Sequence, residues 1–322
     1  MSTVTFFTPV QEEMRQVEEL MRVQADEHHP ELRAALHHLL GAGGKRIRPT
    51  LGLLVGNMLG ADQRILITLA AAVELLHTAT LVHDDLIDGA LLRRGNPTLN
   101  ARWSPATTVL TGDFIFARAA KLAAETDCLP LMRLFAETLA IIVNGELTQL
   151  FTSHGIASRE NYDQRIFAKT ASLFEMSARA AAMISPVDEA TVEAMQGFGY
   201  QLGMAFQIVD DILDFNGEQA EVGKPVGSDL LQGLITLPTI YYIENHPDDP
   251  DVRALLEGNS VVNRDMMVRL VQSIRKSDAI SISMNEAEKY VAESLCVLAD
   301  MPIGTERQAL EDLARYIVDR RI

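Results

Sequence analysis

Covalent cross-links and rigid breaks are scarce in this sequence. Its 322 residues include two cysteines, Cys128 and Cys296. Two are too few for a disulfide framework or a thiolate zinc site, and a reducing, cytoplasmic compartment is expected. Proline (12) and glycine (20) occur singly or in short clusters. They punctuate the chain without forming a linker, so one domain is expected over 1–322, with 1–8 as a loose tail. Positive charge is in deficit, with 28 Lys and Arg against 44 Asp and Glu, a net charge of −16. That balance excludes a partner whose phosphate backbone needs a surplus of cations, so no nucleic acid is expected. The segment Met1–Phe7 lacks the basic flank and apolar stretch of a signal peptide. No uninterrupted apolar run reaches the roughly 18 residues of a membrane span, which leaves peripheral contact as the only expected relation to a bilayer.

What the sequence has is helical periodicity. Apolar residues, 48% of the chain, recur at i, i+3, i+4 and i+7, and strict alternation is rare. The spacing predicts helices at 9–27, 30–40, 49–59, 62–89, 107–125, 129–151, 159–184, 188–216, 238–245, 250–258, 263–276, 280–299 and 305–320. Gly41–Gly44, Gly95–Pro97, Gly155 and Gly217 mark breaks. The fold class is therefore all-α, a single-domain bundle of roughly 10–13 helices. Ile65–Leu86 and Phe198–Phe215 are apolar all round, as helices at the centre of a bundle are.

Those two helices each carry a cluster of aspartates. Asp84, Asp85 and Asp88 repeat the spacing of Asp210, Asp211 and Asp214, each as Asp-Asp-x-x-Asp. Aspartates at i and i+4 share a helix face, and their repulsion costs roughly 0.2–0.5 kcal/mol per pair. Apolar neighbours add a desolvation cost. One such cluster reads equally well as a solvated helix end. Two copies in the two most apolar helices call for a cation. Carboxylates without nearby His or Cys favour Mg²⁺, which takes one or two of them and completes its shell with water and phosphate. Facing each other, the clusters would clamp a diphosphate through several ions.

Basic residues gather where a phosphate could use them. Gly43–Pro49 (GGKRIRP) sets Lys45, Arg46 and Arg48 at a helix start, where free amides attract anions. It lacks the Gly-Lys-Ser/Thr ending of a P-loop. Arg93 and Arg94 follow the first aspartate set, Lys169 and Thr170 sit inside an otherwise ordinary helix, and Lys224 follows the second set. Arginine there can fork onto phosphate oxygens. Taken singly, each of these reads as a surface residue.

Seven blocks occur together: GGKRIRP at 43–49, HDDLID at 83–88, LRRGNPT at 92–98, GELTQ at 145–149, KTA at 169–171, FQIVDDILD at 206–214 and GKPVGSDL at 223–230. In this order, over nearly the whole chain, the sequence resembles the trans-isoprenyl diphosphate synthases of the polyprenyl synthetase family. The resemblance implies a bundle with a deep central cavity and a prenyltransferase that joins isopentenyl diphosphate to an allylic diphosphate. It implies that Asp84, Asp85, Asp88, Asp210 and Asp214 hold Mg²⁺, three ions in all, with Asp211 a weaker candidate. Arg93, Lys169, Thr170, Gln207 and Lys224 would contact the allylic diphosphate, Lys169 counting with the aspartates as catalytic. Gly44, Lys45, Arg48, His77 and Arg94 would hold isopentenyl diphosphate; read alone, His77 is a core histidine. A homodimer is implied, and a separate partner subunit is known in some long-chain members.

Many relatives carry a phosphate-binding lysine before Thr-Leu-Pro, where this chain has Leu234. Long-chain members also tend to lack it, so a somewhat weaker hold on diphosphate is expected. Ala79 and Thr80 lie about one helical turn below Asp84, close to its face. Short-chain relatives commonly place an aromatic there. Small residues leave the apolar pocket open for a product of about six isoprene units or more, or else merely allow close packing. Three further readings compete. A terpene cyclase or head-to-head synthase would have no use for the isopentenyl-site residues. A non-catalytic subunit would have lost acidic motifs. A short-chain synthase remains the alternative on product length.

Overall fold

The structure, a computed structural model, describes residues 5–26, 28–41, 44–93, 95–151, 158–216, 226–256 and 264–320. Among these, the α-helices are α1 (Gln11–Arg22), α2 (Pro30–Gly41), α3 (Ile47–Leu59), α4 (Gln63–Ile87), α5 (Pro105–Ala124), α6 (Leu129–Phe151), α7 (Arg159–Ile166), α8 (Ser172–Met183) and α9 (Glu189–Asn216). They continue as α10 (Ser228–Leu231), α11 (Leu237–Asn245), α12 (Pro250–Leu256), α13 (Arg264–Lys276), α14 (Ala279–Ala299) and α15 (Thr305–Asp319). The expected all-α class holds. The two-residue strands β1 (Leu92–Arg93) and β2 (Asn96–Pro97) make a small antiparallel hairpin. Local chemistry sets several ends. Asp62, Ser104 and Ser158 cap α4, α5 and α7 through their side chains, and Gly60, at φ 79°, ends α3.

Contacts divide the chain into two compact units. The first comprises Met1–Thr138, Leu173–Gly199 and Asp300–Asp312. Its core is built on α4, where Leu66, Ala71, Ala72, Leu75, Leu76 and Ala79 are wholly buried. Residues 5–8 are not the loose tail expected: Thr5–Val10 forms a 3₁₀ turn with Phe6 and Val10 buried, since two apolar side chains suffice to anchor it. Close approach of helices relies on glycine. A Cβ at Gly112 of α5 would lie 2.2 Å from His83 Nε2 of α4, and one at Gly199 of α9 would lie 2.6 Å from the Phe174 carbonyl of α8.

The second unit comprises Leu139–Ser172, Tyr200–Ala299 and Leu313–Ile322. Phe215 and Leu230 join Met267, Leu270, Ile274 and Ala279 in its core. The helix predicted over 159–184 is not ordinary throughout: Phe167–Ala171 forms a π-turn between α7 and α8. Such wide turns cluster at functional sites, and this one carries Lys169 and Thr170.

Two helices, α4 and α6, are long and apolar enough on average to cross a membrane, although polar residues interrupt both. In α4, 67% of the most apolar window is buried in the protein, as a core helix requires. In α6 the figure is 22%, and Ile141, Val143, Leu147, Leu150 and Phe151 are exposed.

Candidate functional site

In the first unit, the turn before α3 sorts its three cations. Gly44 and Lys45 are exposed. Arg46 adopts a left-handed backbone (φ 44°) and turns inward. It donates to Glu74 at 2.6 Å, to Glu18 at 3.4 Å and to the Leu40 carbonyl at 2.9 Å. That conformation costs a non-glycine residue roughly 1–3 kcal/mol and persists only where surroundings over-determine it. Here a buried carboxylate and a carbonyl do so. Arg48, two residues on, lies over the Phe174 ring at 4.8 Å, and its Nη1 is 3.2 Å from His77 Nε2. Two residues assigned to isopentenyl diphosphate from separate segments of the chain thus meet.

On α4, the partly exposed residues His77, Thr80, Leu81 and Asp84 and the exposed C-cap Asp88 fall on one stripe. The spacing is helical, so these residues share one accessible face, and His83, Leu86 and Ile87 are accessible elsewhere on the last turns. Asp85 is buried and held by Arg93, with Nε at 2.9 Å and Nη2 at 2.8 Å. A predicted metal ligand and a predicted phosphate ligand therefore neutralise one another, with Arg93 still 39% exposed. Ala79 and Thr80 part company. Thr80, four residues before Asp84, is rotated about 40° from it, whereas Ala79, five before, is rotated about 140°. Accordingly Thr80 keeps accessible surface and Ala79 has none. The expectation that both lie close to the aspartate face is corrected for Ala79, which packs against neighbours.

The second unit holds the other aspartates in three different environments. Asp211 is buried, and accepts from Tyr162 Oη and Gln207 Nε2, both at 2.8 Å. Burial pushes its carboxyl up to about 7 against the pull of those two donors. Thr170 Oγ1 donates to Gln207 Oε1 at 2.6 Å, so Thr170, Gln207, Asp211 and Tyr162 form one chain of hydrogen bonds. Asp214 caps α10: Oδ1 accepts from Ser228 N at 3.2 Å and Oγ at 2.7 Å, and Oδ2 from Asp229 N at 3.1 Å. A carboxylate has about four acceptor sites, so capacity for a metal is left. Asp210, like Asp214, is only partly buried. Its side chain is 43% exposed, and Oδ1 meets Arg320 Nη1 at 2.8 Å. Lys169 Nζ lies 2.8 Å from Glu146 Oε1. That contact depends on Gly145, where a Cβ would lie 2.5 Å from Ala168 Cβ and hold α6 away from the π-turn.

Arg94 and Lys224 lie outside the described residues, as do Gly155 and Gly217. Arg46, Tyr162 and Arg320 were not singled out for the roles they have here. Arg320 had no local signal, standing 110 positions from its partner. Among the described residues no three His, Cys, Asp or Glu side chains converge on one point as a cage would require. The oxygen-only donors with partly exposed carboxylates still fit Mg²⁺, which draws most of its shell from water and phosphate.

Comparison with known proteins bears on the family. Residues 29–274 match the family model described as "Polyprenyl synthetase". A relative from Geobacillus stearothermophilus, "Heptaprenyl diphosphate synthase component 2", is 39% identical over 304 residues, 94% of each chain. The solved heptaprenyl diphosphate synthase from Staphylococcus aureus superposes with a TM-score of 0.90 at 34% identity, covering 97% of this chain and 98% of that one. A polyprenyl synthase from Caulobacter crescentus CB15, solved with calcium and isoprenyl diphosphate, gives 0.90 at 35% identity over 99% and 98%. With the family model over most of the chain and relatives aligned along nearly its full length, the chain belongs to the polyprenyl synthetase family.

Proposed function

We propose that this chain is a Mg²⁺-dependent trans-prenyltransferase that adds isopentenyl diphosphate to an allylic diphosphate and carries elongation to a long-chain polyprenyl diphosphate. The observation that carries the reading is the meeting of Arg48 and His77. It sets the Arg48 guanidinium beside the His77 ring for a second, non-ionising diphosphate, which a cyclase does not need. The names of the relatives point the same way on length, as heptaprenyl synthases.

When bound, Mg²⁺, three ions by family analogy, supplies positive charge to the departing diphosphate. Asp84, Asp85, Asp88, Asp210 and Asp214 are its proposed ligands. Arg93, Lys169, Thr170, Gln207 and Lys224 hold the allylic diphosphate, and the hydrogen-bond chain from Tyr162 fixes Thr170 and Gln207 in advance. Gly44, Lys45, Arg48, His77 and Arg94 hold isopentenyl diphosphate so that its double bond attacks the allylic cation. Proton loss to the released pyrophosphate completes the step, and no side-chain nucleophile is used. The reading includes a single functional domain, a cytoplasmic location and peripheral membrane contact for product release.

The exposed apolar face of α6 supports a homodimer, because a patch of that kind marks an association surface. The word "component" in the name of the Geobacillus relative supports a second reading, a catalytic subunit that works with a partner. Incubating the purified chain with labelled isopentenyl diphosphate and several allylic primers, then sizing the products, tests both readings. Products of about six units or more are expected, because the small side chain of Thr80 would leave room for a growing chain. Inactivity alone, restored by an added subunit, selects the second reading.

Thr80→Phe should shorten the product by several units while the first condensation proceeds, because the ring would stand on the open face below Asp84. Ala79→Phe forces a ring into a site with no free space and should lower stability by about 1–3 kcal/mol. Parental product length in Thr80→Phe would remove the pocket argument.

Lys45→Ala and Arg48→Ala should raise KM for isopentenyl diphosphate about tenfold, the loss of one charge-assisted hydrogen bond. Their effect on the allylic KM should be smaller. Arg93→Ala should show the reverse preference, and equal effects on both substrates in all three variants would defeat the assignment to two diphosphates.

A further inference from the structure

Arg320 stands just beyond α15 and is almost wholly buried, its side chain 5% exposed. A buried guanidinium must have its donors answered. Nε donates to the Ile317 carbonyl at 3.2 Å, Nη2 to the Phe206 carbonyl at 3.0 Å and Nη1 to Asp210 Oδ1 at 2.8 Å. Its plane lies over the Phe206 ring at 4.0 Å. Two carbonyls and a ring therefore fix where this cation sits, and its remaining nitrogen reaches one oxygen of a partly exposed aspartate of the second set.

We propose that Arg320 is a positioning residue for the second aspartate motif: it holds Asp210 by Oδ1 so that Oδ2 is presented for a divalent metal on the allylic diphosphate. This rests on the reading of Asp210 as a metal ligand given above. The asymmetry of the pair supports it. A surface ion pair would leave both partners mobile, and a buried one would hide the acid. Here the cation is buried and immobilised, while the carboxylate is 43% exposed. Among the described residues no other side chain engages Asp210. Asp211 and Asp214 get their orientation from Tyr162, Gln207 and the start of α10, so each aspartate of the set has its own support. Hydrogen-bonded partners behind metal ligands typically contribute 10- to 100-fold in metal affinity, by fixing the ligand before the metal arrives.

The test is calorimetric titration of Mg²⁺ into the full chain with saturating inorganic pyrophosphate, alongside steady-state kinetics. Arg320→Met keeps an unbranched side chain over Phe206 and removes the donors. It should weaken Mg²⁺ about tenfold and lower kcat at limiting Mg²⁺, with KM for isopentenyl diphosphate unchanged. Arg320→Lys, which keeps the charge, should recover part of the affinity. Asp210→Asn should weaken Mg²⁺ by itself, and adding Arg320→Met to it should cost little more, because the two act through one oxygen. Unchanged Mg²⁺ affinity in Arg320→Met with a weakened Asp210→Asn overturns the role of Arg320 alone, and a lowered Tm would then show that it only packs. Tighter Mg²⁺ binding in Arg320→Met also overturns it, making Arg320 a competitor for the carboxylate. Unchanged affinity in Asp210→Asn overturns the metal-ligand reading, and this inference with it. If Arg320→Met does not fold, Arg320→Lys decides: wild-type Mg²⁺ affinity overturns the proposal, and a loss of about threefold supports it.

Discussion

Asp84→Ala should lower turnover about 10²–10³-fold at limiting Mg²⁺, the loss expected when one preorganised stabiliser of developing charge is removed. Asp210→Ala should lose a similar factor, yet the two variants should part in stability. Asp84 lies one turn from Asp88 on the open face of α4, and deleting it relieves like-charge repulsion. The unfolding midpoint of Asp84→Ala without Mg²⁺ should therefore hold or rise slightly. Deleting the Asp210 carboxylate instead strands the buried guanidinium of Arg320. Leaving one buried donor group unanswered costs about 1–3 kcal/mol, less than in a fully buried pair because Asp210 is 43% exposed and two carbonyls still answer Arg320. Turnover assays and denaturant melts on both variants check this. Near-normal turnover in either variant would end the assignment of its aspartate to metal binding.

Arg46→Ala should be the most destabilising single change at this site, by about 3–5 kcal/mol. Arg46 and Glu74 are 12% and 7% exposed in their side chains, so the substitution leaves a carboxylate in the interior without its cation. It also strips a donor from the Leu40 carbonyl while keeping a β-carbon in the left-handed backbone. Glu74→Gln added to it should recover part of the loss, since a neutral amide is cheaper to bury than a charge. KM for isopentenyl diphosphate should rise in Arg46→Ala as well, because the turn it anchors carries Lys45 and leads into Arg48. A loss below about 1 kcal/mol, the size of an ordinary surface ion pair, would show that Arg46 does not anchor this turn.

Much of the scaffold was readable because it follows local rules. Apolar period and capping residues located α4, α5 and α9 to within two residues at most of their ends. The aspartate spacing identified the motifs, and the resemblance supplied their chemistry. What escaped was the direction each side chain takes once neighbours compete for it. Lys45, Arg46 and Arg48 look alike in sequence, and it is Glu74 on another helix, with Glu18 and the Leu40 carbonyl, that turns the middle one inward. Asp210, Asp211 and Asp214 look alike too, yet Tyr162, the start of α10 and Arg320 give them three different environments. These partners are distant in sequence, where periodicity carries no information about them. The placement of Ala79 was a different matter, since five residues along a helix is about 140° and the turn could have been counted.

The π-turn at Phe167–Ala171 acts as a phase slip. A ring closed over five residues spends one more than an α-turn, so the apolar registers of α7 and α8 are offset by about 100°. Lys169 stands exposed beside Thr170, which is buried against Gln207. That pair of orientations depends on counting residues from both helices at once. Losing one residue between Tyr162 and Phe174 would heal the helix and rotate one side against the other. The segment should therefore accept many substitutions among related chains and almost no change of length.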